Sequence, residues 1–544
     1  MHRDFSTFHK LAGVLAAASL PFAVFGQINV LTYKNNNART GSNTTETILT
    51  HSNVNSTQFG KLWFAPSDGW VDAQPLYVSN LVIPGHGTHN TLFMETENDT
   101  AYALDANTGT VLWEVSLLLP GETASNNRSC NQITPLIGIT STPAIYLKSA
   151  TAGGYMYVVA MSVDSSGNYH QRLHALSLGS GKELLGGPVD IQATYPGTGP
   201  NSSGGVVTFV PGDYKARPAV LLLNGVVYIS FSSNCDDPPF NGWIMAYNGS
   251  TLAQEAVFST TPNGENGALW GSGGGPAADA SGNIYQMVGN GTFDQTLNSQ
   301  GFPSSGDYGN GFLKMTLASN VLSVSDYFAS YNAADGPFDE NVELGSSSPL
   351  ILPEMTNAAG TQLHLAVGAG KVGTIFVVNL DNMGKYNPAG DTNVYQALVG
   401  VLGPGGSQNA VGAVRFPPVL LRNLVFFSGN QTPIMAFEFT SALLSTAAVS
   451  STPEVFQYPG AGMSISANGS SNGILWAVAP GGDGVGNGLY AYAAGKLSDE
   501  LYNSNQAANG RDQITYAKFA PPTIANGMVY VATQTGVAAF GLLP

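Results

Sequence analysis

Cysteine is almost missing from this sequence, and so is charge. There are two cysteines, Cys130 and Cys235. They form no Cys-x-x-Cys-His haem attachment site. In an oxidising compartment an even count favours one bridge, with two buried free thiols as the alternative. Both lie in long connectors, and a disulfide joining them is expected. Lys and Arg number 19 against 35 Asp and Glu, a net charge of −16 with no run of basic residues. That excludes a protein built to grip a phosphate backbone, so no nucleic-acid partner is expected. There is no Gly-x-Ser-x-Gly nucleophile turn and no Walker loop. Gly484–Gly488 precedes a strand pattern, which makes it a turn and not a phosphate cradle. His86 and His89 share a glycine turn with no third metal ligand nearby in sequence.

Long apolar runs are missing too, with one exception. Leu11–Phe25 follows Arg3 and Lys10 and is short for a bilayer span. With Val24-Phe25-Gly26 as a loose cleavage site, residues 1–26 read as a secretory leader. An uncleaved anchor is the alternative. The expected location is the periplasm or outside the cell, with no membrane span after cleavage.

Glycine (66 residues), tyrosine (23) and short apolar runs are plentiful, and helical periodicity is lacking after residue 30. Thr91–Glu95, Thr100–Leu104 and Val111–Val115 read as three short strands. A turn at Asp105-Ala106-Asn107-Thr108-Gly109 joins the last two, and Trp113 follows as a large apolar anchor. His174–Leu184 repeats that hairpin with Ser177 for the Asp and Leu184 for the Trp. A second repeat has a proline opening a strand, a glycine turn and an apolar strand. It starts at Pro75, Pro143, Pro218, Pro276, Pro349, Pro418 and Pro522. An eighth copy, Ser464–Ala477, lacks the proline.

A lone hairpin cannot bury its faces, so repeated copies imply a ring that buries them against one another. The expected fold is all-β, an eight-bladed β-propeller of four-stranded antiparallel blades, forming one domain over residues 27–544. Residues 27–59 are expected to be a polar wrap outside the ring, and 60–544 the blades. The strand Gly60–Ala65 is expected to close the last blade near Val537–Phe540, which removes an open edge. The largest connectors are Leu117–Ile139, Asp190–Arg217, Thr292–Asn310 and Ala329–Gly345. If they share one end of the ring, that end is the binding face. Its Asn, Tyr and Ser suit a polar small molecule, a carbohydrate or an envelope or extracellular protein. The sequons at Asn98, Asn248 and Asn468 matter only where the source glycosylates.

Ala103-Leu104-Asp105-Ala106-Asn107-Thr108-Gly109-Thr110-Val111-Leu112-Trp113 resembles the docking motif of the quinoprotein alcohol dehydrogenase propellers, from about Gly60 to the C-terminus. That resemblance implies eight blades around pyrroloquinoline quinone (PQQ) and calcium. It places Asn290, in Val288-Gly289-Asn290-Gly291, at a calcium-ligand position. Trp270 falls near the ring-stacking tryptophan, and Lys371 matches the lysine beside the cofactor. Asp339, after Phe338, matches the catalytic base, and with Asp237 it would complete the metal ligands.

The chain also departs from that pattern. Asn234–Gly242 holds Asp236 and Asp237 where the family has a glutamate. Ser129-Cys130-Asn131 lacks the family's adjacent cysteines. The nearest cations by loop position are Arg128, Lys215, Arg217 and Arg415. The leading expectation is therefore a secreted propeller that binds a ligand or a protein on its loop face, with no cofactor. The alternative is a PQQ- and calcium-dependent dehydrogenase of alcohols or sugars. The family also includes non-catalytic propellers.

Overall fold

The computed structural model describes residues 28–334, 343–405, 410–481 and 486–544. The expected leader, residues 1–26, and Asp339 lie outside them. The Gly484–Gly488 turn lies partly outside, and the strand Gly488–Ala493 follows it. Among the described residues no helix is long and apolar enough to cross a membrane.

Most of the described strands form eight successive sheets, each built on four antiparallel strands, some with a short extra strand at an edge; two small sheets, over 194–208 and 355–363, lie outside them. Sheets 1 to 7 cover residues 76–116, 144–190, 221–259, 277–329, 350–398, 419–451 and 462–503. Sheet 8 covers 523–542 and takes Phe59–Pro66 as its last strand. Pro75, Pro143, Pro276, Pro349, Pro418 and Pro522 stand directly before the first strands of their sheets. A residue without an N–H loses no ladder bond there.

Every pair of successive sheets shares an apolar cluster. Tyr157 packs with Trp243 between sheets 2 and 3. Met287 and Ala366 join sheets 4 and 5, and Trp476 and Phe540 join sheets 7 and 8. One cluster links sheet 8 through Tyr530, sheet 1 through Leu76 and sheet 2 through Met156. The eight sheets therefore close into a ring, a β-propeller. The seal is a strand pairing at one joint: Phe59–Pro66 runs antiparallel to Gly536–Leu542, with Lys61 opposite Phe540 and Phe64 opposite Ala538. This is the pairing expected from the sequence.

The Asp105 hairpin supplies the docking between sheets. The Asp105 carboxylate accepts the Asn107 and Thr108 N–H groups at 2.9 and 3.0 Å, which fixes the turn. Gly109 has φ +76°, and a Cβ there would lie 2.7 Å from the Trp63 ring. The same contact recurs one sheet on: a Cβ at Gly181 would lie 2.8 Å from Trp113, whose Nε1 donates to the Leu178 carbonyl at 2.9 Å. Each tryptophan of an outer strand thus seats on the turn glycine of the next sheet. Trp113→Ala should lower the unfolding free energy by about 3 kcal/mol, because a large ring leaves a cavity. A loss under about 1 kcal/mol in urea unfolding would contradict this docking role.

The N-terminal segment does not simply wrap the outside. Val30 pairs with Tyr77 of sheet 1 in both directions, and Leu31 accepts from Ile145 of sheet 2. Asn37, Ala38, Thr40 and Gly41 accept from Ala278, Ile351, Leu420 and Ile465, in the first strands of sheets 4 to 7. The Asn37 side chain donates to Leu222 of sheet 3 at 2.9 Å, and that of Asn43 to Ile524 of sheet 8 at 3.2 Å. A segment this short touches all eight first strands only if it lies on the ring axis. Its polarity has a structural cause: the inner edge of each sheet has unpaired N–H and C=O groups, and polar residues complete them. Lys34 donates to the Met463 carbonyl at 2.5 Å, and burial pushes its pKa down to about 7. Residues further along do lie outside, with Leu49 and Val54 packed on sheets 7 and 8.

Candidate functional site

Strand alternation sends the connection between second and third strands, and the link to the next sheet, to the same end of the ring. All four of the longest connectors are of these two kinds. They share one face, and the axial plug closes the other.

At the centre of the loop face Ile133, Ile137, Met161, Phe416 and Phe519 form an apolar floor, with Trp270 packed against it. Trp270 is half-buried and meets Phe519 edge-on at 5.5 Å. Cations stack on these rings: Lys215 Nζ lies 5.7 Å from the Trp270 centre, Arg217 5.6 Å from Phe519 and Arg415 4.8 Å from Tyr458. Above the floor is a void lined by Gln132, Ser233, Asp236, Trp270, Glu343, Ser346, Lys371, Arg415 and Tyr458. Its volume is about 20 Å³, room for one water molecule.

Lys371 lines this void, where it is engaged in a buried ion pair with Glu343. Burial raises the Glu343 pKa and the Lys371 ammonium opposes that. Asp236, not Asp237, faces the void; Asp237 is exposed. The cause is local, since the Asp236 N–H and carboxylate both bond Ser233 Oγ, at 3.1 and 2.5 Å, and turn the side chain inward. Asn290 is buried, its carbonyl accepting from Gly267 N at 2.7 Å, and it does not line the void. Among the described residues no group of three or more His, Cys, Asp or Glu could hold a metal ion. His89 bonds Asp105 at 2.5 Å and the His86 carbonyl at 2.9 Å; these contacts occupy both of its ring nitrogens.

The cations sort themselves by depth. Lys215 lies beside Trp270, and Arg128 lies further out with Asp213 at 3.6 Å. Arg217 is fully buried beneath the site and donates to the carbonyls of Asp72, Thr140 and Phe519. Next to it, burial raises the pKa values of Asp72 and Glu97. Cys130 and Cys235 are bonded, Cα to Cα 5.6 Å, tying the connector after sheet 1 to the loop within sheet 3. Closing a loop of 105 residues stabilises the fold by about 4 kcal/mol.

Sequence reasoning missed Glu343, Gln132 and Tyr458, and of the adjacent pair it assigned Asp237 where Asp236 lines the void. Glu343 was within reach, as an acidic residue shortly before Pro349 in the connector that also holds Asp339. Nothing local marks Gln132 or Tyr458.

Among the described residues, the Glu343–Lys371 pair and the Arg415–Tyr458 stack occupy the axial site and leave little room there for a tricyclic quinone. No protein-family model matches the chain, and no curated protein matches it in sequence. Among solved structures it resembles the quinohemoprotein alcohol dehydrogenase of Comamonas testosteroni, with a TM-score of 0.61 at 13% identity, over 95% of this chain and 80% of that one. It also resembles the quinohemoprotein alcohol dehydrogenase ADHIIG of Pseudomonas putida HK5, with a TM-score of 0.62 at 13% identity and the same coverage. The fold is that of the quinoprotein alcohol dehydrogenase propellers.

Proposed function

We propose that this chain is a secreted binding protein of that propeller fold, which holds a polar ligand on its loop face without turning it over. The observation that carries this is the narrow, already occupied axial void among the described residues. Of its two basic groups, Lys371 is already paired with Glu343 and Arg415 stacks on Tyr458.

The same face offers an open cleft of about 630 Å³ between sheets 1 and 2, within the range for ligand sites. Asp68, Asn98, Thr100, Glu114, Thr123 and Asn126 line it together with Leu118, Leu136 and Val163. Asp68 accepts from the Thr96 and Thr100 hydroxyls at 2.8 and 2.6 Å, which holds its carboxylate at the rim. Carboxylate, amide and hydroxyl groups beside a small apolar wall suit a neutral carbohydrate: the acceptors take sugar hydroxyls and the wall takes a ring face.

Two titrations test this reading. Isothermal titration of the purified chain with PQQ and calcium should give no tight complex and no dye-linked alcohol oxidation. A panel of neutral oligosaccharides should include a binder that Glu114→Ala weakens about tenfold, the loss expected for a hydrogen bond to a charged group. Micromolar PQQ binding that disappears in Asn290→Ala would overturn the proposal and restore the dehydrogenase reading.

A further inference from the structure

Cys130 and Lys215 are both 1% exposed, and Lys215 Nζ lies 3.1 Å from Cys130 Sγ. Among the described residues that sulfur is its one hydrogen-bond partner. A disulfide sulfur is a weak acceptor, so the buried ammonium is poorly compensated while the bridge is closed. Burial pushes the Lys215 pKa down to about 7; Asp236 and Asp237 oppose this, and Arg217 and Arg128 add to it. A thiolate at Cys130 would be a full counter-charge at the same distance. The partner sulfur differs, because Cys235 is only half-buried.

We propose that Cys130–Cys235 is a thiol–disulfide exchange site at which Lys215 holds the Cys130 thiolate of the reduced form. Its co-reactant is an external dithiol. One thiolate of the dithiol attacks the sulfur of the half-buried Cys235, the S–S bond breaks, and its electron pair leaves on Cys130, beside the Lys215 ammonium. The second thiol of the dithiol then attacks the mixed disulfide, and Cys235 leaves as a thiolate that takes a proton from solvent. The dithiol ends as a disulfide and the protein gains two electrons. A stabilised leaving thiolate speeds exchange and favours the reduced form. Gln132 and Asp236 are close in sequence to the two cysteines and line the axial void, so reduction removes the covalent tie between two of its walls. The inference does not depend on which ligand the loop face takes.

The test equilibrates the purified chain in dithiothreitol buffers of defined oxidised-to-reduced ratio, traps thiols with iodoacetamide and counts them by mass. Lys215→Met should need about tenfold or more reductant for half-reduction, and Lys215→Arg should stay close to wild type. Coincident curves for wild type and Lys215→Met overturn the proposal, as does a native bridge that dithiothreitol never opens. A second measurement serves if Lys215→Met does not fold: the pH dependence of Cys130 alkylation in the reduced wild-type chain. A midpoint below the ordinary thiol value of about 8.5 supports the assignment, and one at or above it overturns it.

Discussion

Replacing residues 28–43 with a Gly/Ser linker of equal length is expected to leave a chain that forms no stable ring. The segment holds the first strands of sheets 1, 2 and 4 to 7 by main-chain bonds and those of sheets 3 and 8 by side-chain bonds. Each bond contributes about 1 kcal/mol, and each inner-edge group left buried without a partner costs more. Their sum is comparable to the whole stability of a protein, about 5–15 kcal/mol. Arg39 adds to it: fully buried, it donates to Thr32 Oγ1 at 2.7 Å and to the Tyr33 and Pro276 carbonyls at 3.0 Å. The measurement is gel filtration with circular dichroism melting, with and without a synthetic peptide of residues 28–43. The linker variant should be expanded or aggregated, and the peptide in trans should restore part of the native melt. A monomeric variant that melts like wild type would mean that the ring needs no axial segment.

Glu95→Gln is expected to stabilise the protein, increasingly so at higher pH. Glu95 is fully buried, and neither carboxylate oxygen has a partner among the described residues. Burial pushes its pKa from 4.5 to about 8. A folded-state pKa above the unfolded one means that the folded protein holds the proton longer. The stability linked to this group is therefore full below pH 4.5 and is lost as pH rises through about 8. At about 1.36 kcal/mol per pH unit, the loss is about 1 kcal/mol at pH 5 and about 4 kcal/mol at pH 8. Gln is neutral throughout and avoids it. Urea unfolding at both pH values should show a gain for the variant that grows by about 3 kcal/mol between them. An equal gain or loss at both pH values would show that Glu95 does not titrate on unfolding.

The two predictions differ in what made them visible. The ring was legible because its cause is local and repeated. Asp105 fixes its turn through its own neighbours, the turn glycine leaves room for a tryptophan, and a proline stands directly before six of the eight ladders. The closing strand was legible for a related reason: an unpaired apolar strand at one end of the chain and an unfilled edge at the other have one mutual solution. The bridge was expected because both cysteines fell in long connectors, and the ring brings those connectors to one face.

The polar segment around Lys34 and Arg39 was misread because composition records polarity and says nothing of its partner. Polar residues facing water and polar residues completing eight inner sheet edges look the same in one dimension. The site shows the same limit. Trp270 and Lys371, singled out by the family resemblance, both line the axial void. Whether Asp236 or Asp237 turns inward depends on a serine hydroxyl, and whether Lys371 is available depends on Glu343 in another sheet's connector. Local hydrogen bonding and patterned burial made the propeller readable from the sequence. Which charges meet at its centre was decided only by closure of the ring, since burial makes an ion pair or an orphan carboxyl matter and burial there is a property of all eight sheets together.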